Sequence, residues 1–309
     1  MVSINQLTIV IGILLAYLCN YLLADAENNW RWMFTAGAIP STLFFACVFF
    51  VPESPRWLVS KGLTAHARTV LGKITSREEA EREISAIQNA VKSEVKGSLS
   101  DFAKPGVTFV VLLGIVIVVF QQFSGANAIF FYAPIIFEKA GMNVNDQLFQ
   151  QILVGTINLI FTLAAMLLVD KLGRKKLMLA GSFLMALWLG LIGMCYHFSL
   201  FNGYLLSFFV LGYIATYAAT LAPVTWVLIS EIFPTKIRGV AISIATCALW
   251  AACFTLAYVF PVLIERLDAT QTFFLFAGIC FIYFFILLKF APETKGKSLE
   301  EVEMEMRRR

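Results

Sequence analysis

The chain has 309 residues, of which 59% are hydrophobic and only 14% charged, where a soluble domain carries roughly 25% charged residues. A mean hydropathy of +0.79 together with 29 Phe is the composition of a polytopic membrane protein, and it excludes a secreted disulfide scaffold, a nucleic-acid binder and a cytosolic enzyme. The net charge is only +4, so where the basic residues lie says more than their sum.

Apolar runs long enough to span a bilayer occur near 4–23 and 33–51. The first is too long for the core of a signal peptide and has no basic segment before it. A polar insert follows, from Pro52 to Lys104. Thr64 can cap a helix with Ala67, Val70, Leu71 and Ile74 on one stripe, and Ser76-x-x-Glu79 forms a capping box ahead of Ile84, Ile87 and Val91. Six further runs come next, near 107–133, 149–169, 177–197, 203–229, 240–263 and 272–290. The tail repeats the capping pattern, with Ser298-x-x-Glu301 and the apolar positions Leu299, Val302 and Met306.

Placing successive links on alternate sides puts Arg31, Lys139 and Arg266 on one face and the rest of the 24 Lys and Arg on the other. That second face is expected to be cytoplasmic, and with eight spans both termini share it. Cysteines 19, 47, 195, 247, 253 and 280 all fall in apolar runs and read as small hydrophobes. His66 and His197 have no metal-ligating or catalytic company, so no cofactor, metal or enzymatic site is expected.

The second span ends in Val51-Pro52-Glu53-Ser54-Pro55-Arg56 and the eighth in Ala291-Pro292-Glu293-Thr294-Lys295-Gly296. Each is an apolar helix stopped by Pro-Glu and followed by basic residues. If the two copies close equivalent repeat units, the second unit has six spans and the first lacks four.

Polar residues inside the spans face a cavity or another helix, because hydrocarbon gives them no partner. Gln6, Gln121, Gln122, Asn127, Asn158, Trp226 and Trp250 form such a set. Carboxamides donate and accept together, as sugar hydroxyls do, and an indole suits the apolar C–H face of a sugar ring. Amides and Trp without a buried charge therefore fit a neutral sugar or polyol. The plainer alternative is that each amide bridges two helices, a contact averaging about 0.6 kcal/mol in membranes. Gln121 and Gln122 stand beside Ser124 and Gly125, where the Gly lets the helix loosen and turn an amide into a cavity.

The Pro52–Trp57 segment, the run from Gln121 to Pro134, Asp170–Lys175, the run from Pro223 to Gly239 and Pro292–Glu301 resemble the sugar porter family of the major facilitator superfamily, in the family's order and across nearly the whole chain. The resemblance implies an all-α fold of two six-helix bundles around a central sugar site, of which this chain would supply eight transmembrane helices and lack the first four of twelve. Residues 1–51 would be the last two helices of an incomplete N-terminal bundle, 52–104 a cytoplasmic linker, 105–291 a complete C-terminal bundle and 292–309 a cytoplasmic tail.

Residue by residue, the resemblance implies sugar contacts at Gln6, Gln121, Gln122, Asn127, Asn158 and Trp226, with Trp250 lining the cavity. Leu249 stands where the family commonly has an amide. The resemblance also makes Glu53, Arg56, Arg174, Glu231, Arg238 and Glu293 an ion-pair latch between bundles, closing the cytoplasmic side.

The resulting expectation is a secondary transporter of a hexose, pentose or inositol working by alternating access in a cell (inner) membrane, proton-coupled in its full-length parent. Its partners would be a neutral sugar, the lipid bilayer and protons, with no nucleic acid. A transport-inactive fragment and a sugar receptor are the alternatives. No span carries a mid-membrane Asp or Glu, so the sequence offers no proton carrier of its own.

The charge distribution generates a topology test. In a background depleted of native cysteines, Ser93→Cys should react with an impermeant thiol reagent only after the membrane is opened; labelling in sealed right-side-out cells would reverse the assigned orientation.

Overall fold

Long apolar sequence becomes helix here because a bilayer-spanning backbone must satisfy its own hydrogen bonds. The computed structural model describes residues 2–93, 102, 105–199, 203–297 and 299–307. Those residues form fourteen α-helices and no strand. They divide into two units, Met1–Ala26 with Ser98–Arg309, and Glu27–Gly97.

In the first unit, six stretches are long and apolar enough to cross a membrane: Gly106–Lys139, Val144–Val169, Arg174–His197, Gly203–Ile232, Arg238–Arg266 and Asp268–Phe290. They coincide with the last six apolar runs of the sequence. Two are not continuous helices. The first is split into α6 (Pro105–Phe123) and α7 (Ala126–Lys139) at Gly125, whose φ of 94° lies in the left-handed region that glycine enters without strain. The other is split into α10 (Gly203–Ala219) and α11 (Leu221–Ile232) at Thr220, shortly before Pro223. An unbroken apolar run near 203–229 gives no sign of that second break, because Thr220 is a weak interruption and Pro is tolerated near a helix start.

The remaining long helices are α8 (Val144–Leu172), α9 (Arg174–His197), α12 (Arg238–Arg266) and α13 (Asp268–Phe290). Asn143 caps α8, its Oδ1 accepting from the Asp146 N–H at 2.9 Å. α13 packs along α9, α10 lies against α8 and α9, and α12 lies against α6. Their shared core runs from Val107 to Met306 and includes Tyr213, Tyr283, Phe137 and Phe260. The tail helix α14 (Leu299–Arg307) docks on α6 and α11 through buried Val302 and Met306. Ser298, the expected cap of that helix, lies outside the described residues.

Helix α1 (Val2–Leu22) belongs to the same unit and packs on α8. Its apolar stretch Gln6–Leu22 is shorter than the six spans. The approach is close at Gly155, where a Cβ would meet the Leu14 Cα at 3.3 Å and Tyr17 Cδ2 at 3.1 Å.

The second unit holds α2 (Asn29–Val48), α3 (Pro55–Ser60), α4 (Thr64–Leu71) and α5 (Arg77–Ser93). Its small core is Leu58, Val59, Ala67, Leu71, Ala80 and Ile84. The sequence misplaces one cap: Leu63 precedes α4 without a side-chain bond, and Thr64 is the first helical residue. Ile74 falls beyond α4 and is 79% exposed, off the expected stripe. The Ser76 capping box forms, with the Glu79 N–H donating to Ser76 Oγ at 3.3 Å. Hydroxyl donation from Thr75, then from Ser76, pulls the Glu79 carboxyl below its usual range. The side chain of Val91 lies outside the described residues.

Gly155→Leu should drive α1 off α8, because the nearest obstacle includes backbone that a rotamer change cannot move. Overpacking of this kind costs about 1–3 kcal/mol, so the thermal midpoint of the purified protein in detergent should fall. An unchanged midpoint would show that α1 is not held at this crossing.

Candidate functional site

The break at Ser124 and Gly125 places three amides side by side. Gln121 and Gln122 occupy the last turn of α6 and are 2% and 5% exposed, while Asn127 opens α7. The Asn127 Nδ2 donates to Gln122 Oε1 at 2.5 Å and to Cys253 Sγ at 3.3 Å. The Gln122 Nε2 donates to Gln121 Oε1 at 3.2 Å. The Gln121 Nε2 donates in turn to the Leu221 carbonyl at 3.4 Å. A directed chain thus starts at Asn127, which also reaches α12 at Cys253, and runs through Gln122 and Gln121 to the first residue of α11.

The backbone around the break is held by phenols. Tyr213 on α10 donates to the Ser124 carbonyl at 2.9 Å, and Tyr283 on α13 to the Ile117 carbonyl at 3.2 Å. Ser124 Oγ bonds the Gln121 carbonyl at 2.6 Å. Further along, Pro134 and Pro261 have no N–H to offer the carbonyls four residues earlier, those of Phe130 and Ala257. Tyr17 donates to Phe130 O at 2.8 Å and Tyr132 to Ala257 O at 2.7 Å. Both of these oxygens are met by a tyrosine from another helix.

Of the other expected sugar contacts, Gln6 is half-buried on α1 and Asn158 is 3% exposed on α8. Among the described residues no hydrogen bond ties either to the three amides. Trp226 is half-buried on α11, near the Leu221 end of the amide chain. Trp250 is 63% exposed on α12, whereas its neighbour Leu249 is 5% exposed and part of the core. An apolar cavity of about 570 Å³ opens between α8, α9 and α10, where Trp188 donates to Thr216 at 3.0 Å, and its lining includes none of the amides.

The charged set assembles in part. Arg174 Nη2 meets Glu231 Oε1 at 3.0 Å, and the Arg174 backbone N–H donates to Glu293 Oε1 at 3.1 Å. Thr294 Oγ1 donates to the second Glu231 oxygen at 2.6 Å. Lys295 Nζ closes the group on the Lys171 carbonyl at 2.6 Å. Arg174, Glu231 and Glu293 therefore meet within the first unit, joining the α8–α9 turn, the end of α11 and the tail. Arg238 bonds the Phe233 carbonyl at 3.2 Å and Thr235 at 3.2 Å. Glu53 and Arg56 are exposed and belong to the second unit.

Sequence reasoning missed Tyr17, Tyr132, Tyr213, Cys253 and Thr294. Pro134 and Pro261 did mark which carbonyls would need a donor, but nothing in the sequence said which phenols would reach them. It also missed Gln147, Gln150 and Gln151 in the first turns of α8, all buried, with Gln147 donating to the Met142 carbonyl at 2.8 Å.

Comparison with known proteins adds an independent observation. The family description "Sugar (and other) transporter" matches residues 1–306. The chain is 39% identical over 308 residues to the arabinose-proton symporter of Bacillus subtilis, covering 97% of this chain and 66% of that protein. It is 37% identical to the D-xylose-proton symporter of Escherichia coli, covering 98% of this chain and 64% of that one. The solved structure of the E. coli xylose transporter XylE in a partially occluded inward-open conformation superposes with a TM-score of 0.83 at 33% identity, over 96% of this chain and 64% of that one. The chain thus spans about two thirds of the length of the relatives it matches.

The Glu231 carboxylate serves both Arg174 and Thr294, so Glu231→Gln should weaken the charged bond and loosen the tail. Bonds to charged groups contribute about 1.5–3 kcal/mol. Faster proteolysis after Ala291 in the variant is the expected result, and tail cleavage at the wild-type rate would deny Glu231 this role.

Proposed function

We propose a function from one premise: this chain belongs to the sugar porter family of the major facilitator superfamily. It is an integral membrane protein, and we read its activity as secondary transport of a neutral monosaccharide or polyol by alternating access, with proton coupling, as in the named relatives, belonging to the full-length parent. The observation that carries this reading is the directed chain Asn127, Gln122, Gln121 at a helix break inside an apolar bundle.

Three amides bonded to one another form a store of donors and acceptors that a polyol can enter by exchange. A sugar hydroxyl can replace the Gln122–Asn127 bond on both sides at once, because each amide group donates and accepts. No ionised group has to be desolvated for that exchange, which favours a neutral ligand over an ion or an amino acid. Trp226, half-buried beside the α10–α11 break, offers an apolar ring face for the sugar's C–H surface. Gln6 and Asn158 stand on the packed pair α1 and α8 and extend the same chemistry to a second side.

The charged group of Arg174, Glu231 and Glu293 serves, in this reading, as the cytoplasmic part of a latch in which Glu53, Arg56 and Arg238 also take part. Ion pairs at helix ends are weak enough to break and reform in a two-state cycle. The 52–104 insert and the tail after Ala291 share the cytoplasmic side in the same proposal.

Gln122→Ala removes the middle of the amide chain and leaves two partners unsatisfied, so sugar binding should weaken by roughly 1–3 kcal/mol while folding is retained. Titration of the purified protein with D-xylose, L-arabinose, D-glucose and myo-inositol measures this. Wild-type affinity in the variant would return the amides to helix bridging.

A further inference from the structure

The short segment between Ala126 and Phe131 is fenced by two departures from helical geometry. On one side is Gly125 with φ 94°, and on the other Tyr132 with φ −119° and ψ 18°. A segment interrupted at both ends is positioned less by its own helix than by bonds from outside it. Asn127 supplies one set, to Gln122 and Cys253. The Phe130 carbonyl supplies the other, and its partner is Tyr17.

That second bond exists because of Pro134. A residue with an N–H at that position would satisfy the Phe130 carbonyl within α7; proline leaves the oxygen open. In hydrocarbon an open carbonyl is costly, and the Tyr17 hydroxyl fills the need at 2.8 Å from a side chain only 8% exposed. On α1, Tyr17 lies about three helical turns from Gln6 and on the same face, with Val10 between them 1% exposed. The bond therefore joins the helix that carries Gln6 to the segment that carries Asn127.

We propose that Tyr17 is a positioning residue of the sugar site: its hydroxyl supplies the donor that Pro134 removes, and so fixes the Asn127 segment relative to α1. This rests on the sugar-site reading above. The competing account is ring packing alone, since Tyr17 also fills the space beside Gly155.

The two accounts separate in a double-mutant cycle on the full chain in nanodiscs, using wild type, Tyr17→Phe, Pro134→Ala and the double variant. Tyr17→Phe keeps the ring and removes only the hydroxyl. Deuterium exchange of the backbone amides over 126–137 should quicken in Tyr17→Phe, and the dissociation constants for D-xylose, L-arabinose and D-glucose should rise about three- to ten-fold. The double variant should recover both, because position 134 then offers the Phe130 carbonyl an N–H of its own. Pro134→Ser supplies the same N–H should Pro134→Ala aggregate. Exchange unchanged in Tyr17→Phe, or a double variant no better than Tyr17→Phe, overturns the proposal. If all four proteins bind none of the sugars while exchange follows the expected pattern, the sugar-site reading falls and Tyr17's hold on α7 stands.

Discussion

In a bilayer interior, a carbonyl released from its helix has no water to turn to, and each unsatisfied group costs several kcal/mol. This chain releases several such carbonyls, at Gly125, at Thr220, and before Pro134 and Pro261. Tyrosine is the side chain suited to the repair. Its ring is at home among Leu and Phe, and its hydroxyl projects far enough to reach a neighbouring helix. Tyr17, Tyr132 and Tyr213 all donate to such backbone oxygens, and Tyr196 does the same for Ile136 at 2.5 Å, where α7 runs out of its own donors. Breaking a helix here converts a bond within one element into a bond between two.

That conversion explains how amides come to face one another inside an apolar core. Had α6 and α7 formed one continuous helix, Gln122 and Asn127 would sit on different faces, being five residues apart. The turn at Ser124 and Gly125 folds the α7 start back so that Asn127 reaches Gln122 directly. The Leu221 carbonyl that anchors the other end lies just past the second break. Both interruptions therefore serve one polar chain, which links α6, α7, α11 and α12 through neutral groups.

Much of the architecture was legible because its signals are long: the six apolar runs that became the membrane-capable stretches are averages over many residues. The capping box at Ser76 was equally readable, since its geometry is local. Gly125 announced the first break by residue type. Thr220 did not announce the second, because a threonine in an apolar run is compatible with an unbroken helix. The amides were legible as a set, yet their order along the chain depends on which helices meet, and so does the partnership of Asn127 with Cys253. The same holds for the charged residues. Arg174, Glu231 and Glu293 could be named from sequence, but the bond from Thr294 to Glu231 required the tail to be seen folded under α11.

The division between neutral and charged groups follows from solvent. An ionised side chain in mid-membrane costs at least about 2.5–3.5 kcal/mol on insertion scales, so Arg174, Glu231, Glu293 and Lys295 gather where helices end. There the Arg174–Glu231 pair, at 14% and 22% side-chain exposure, keeps some contact with water. Deeper in, only groups without formal charge are tolerated, and the three amides bond one another at 2.5 and 3.2 Å. The two sets thus differ in what can disturb them. Salt and the approach of another charged surface act on the rim, whereas the amide chain is insensitive to both because none of its members carries a charge. Charge is thus kept to the helix ends, while the interior polar bonds join neutral groups, the amides to one another and the Phe130 and Ala257 carbonyls to Tyr17 and Tyr132.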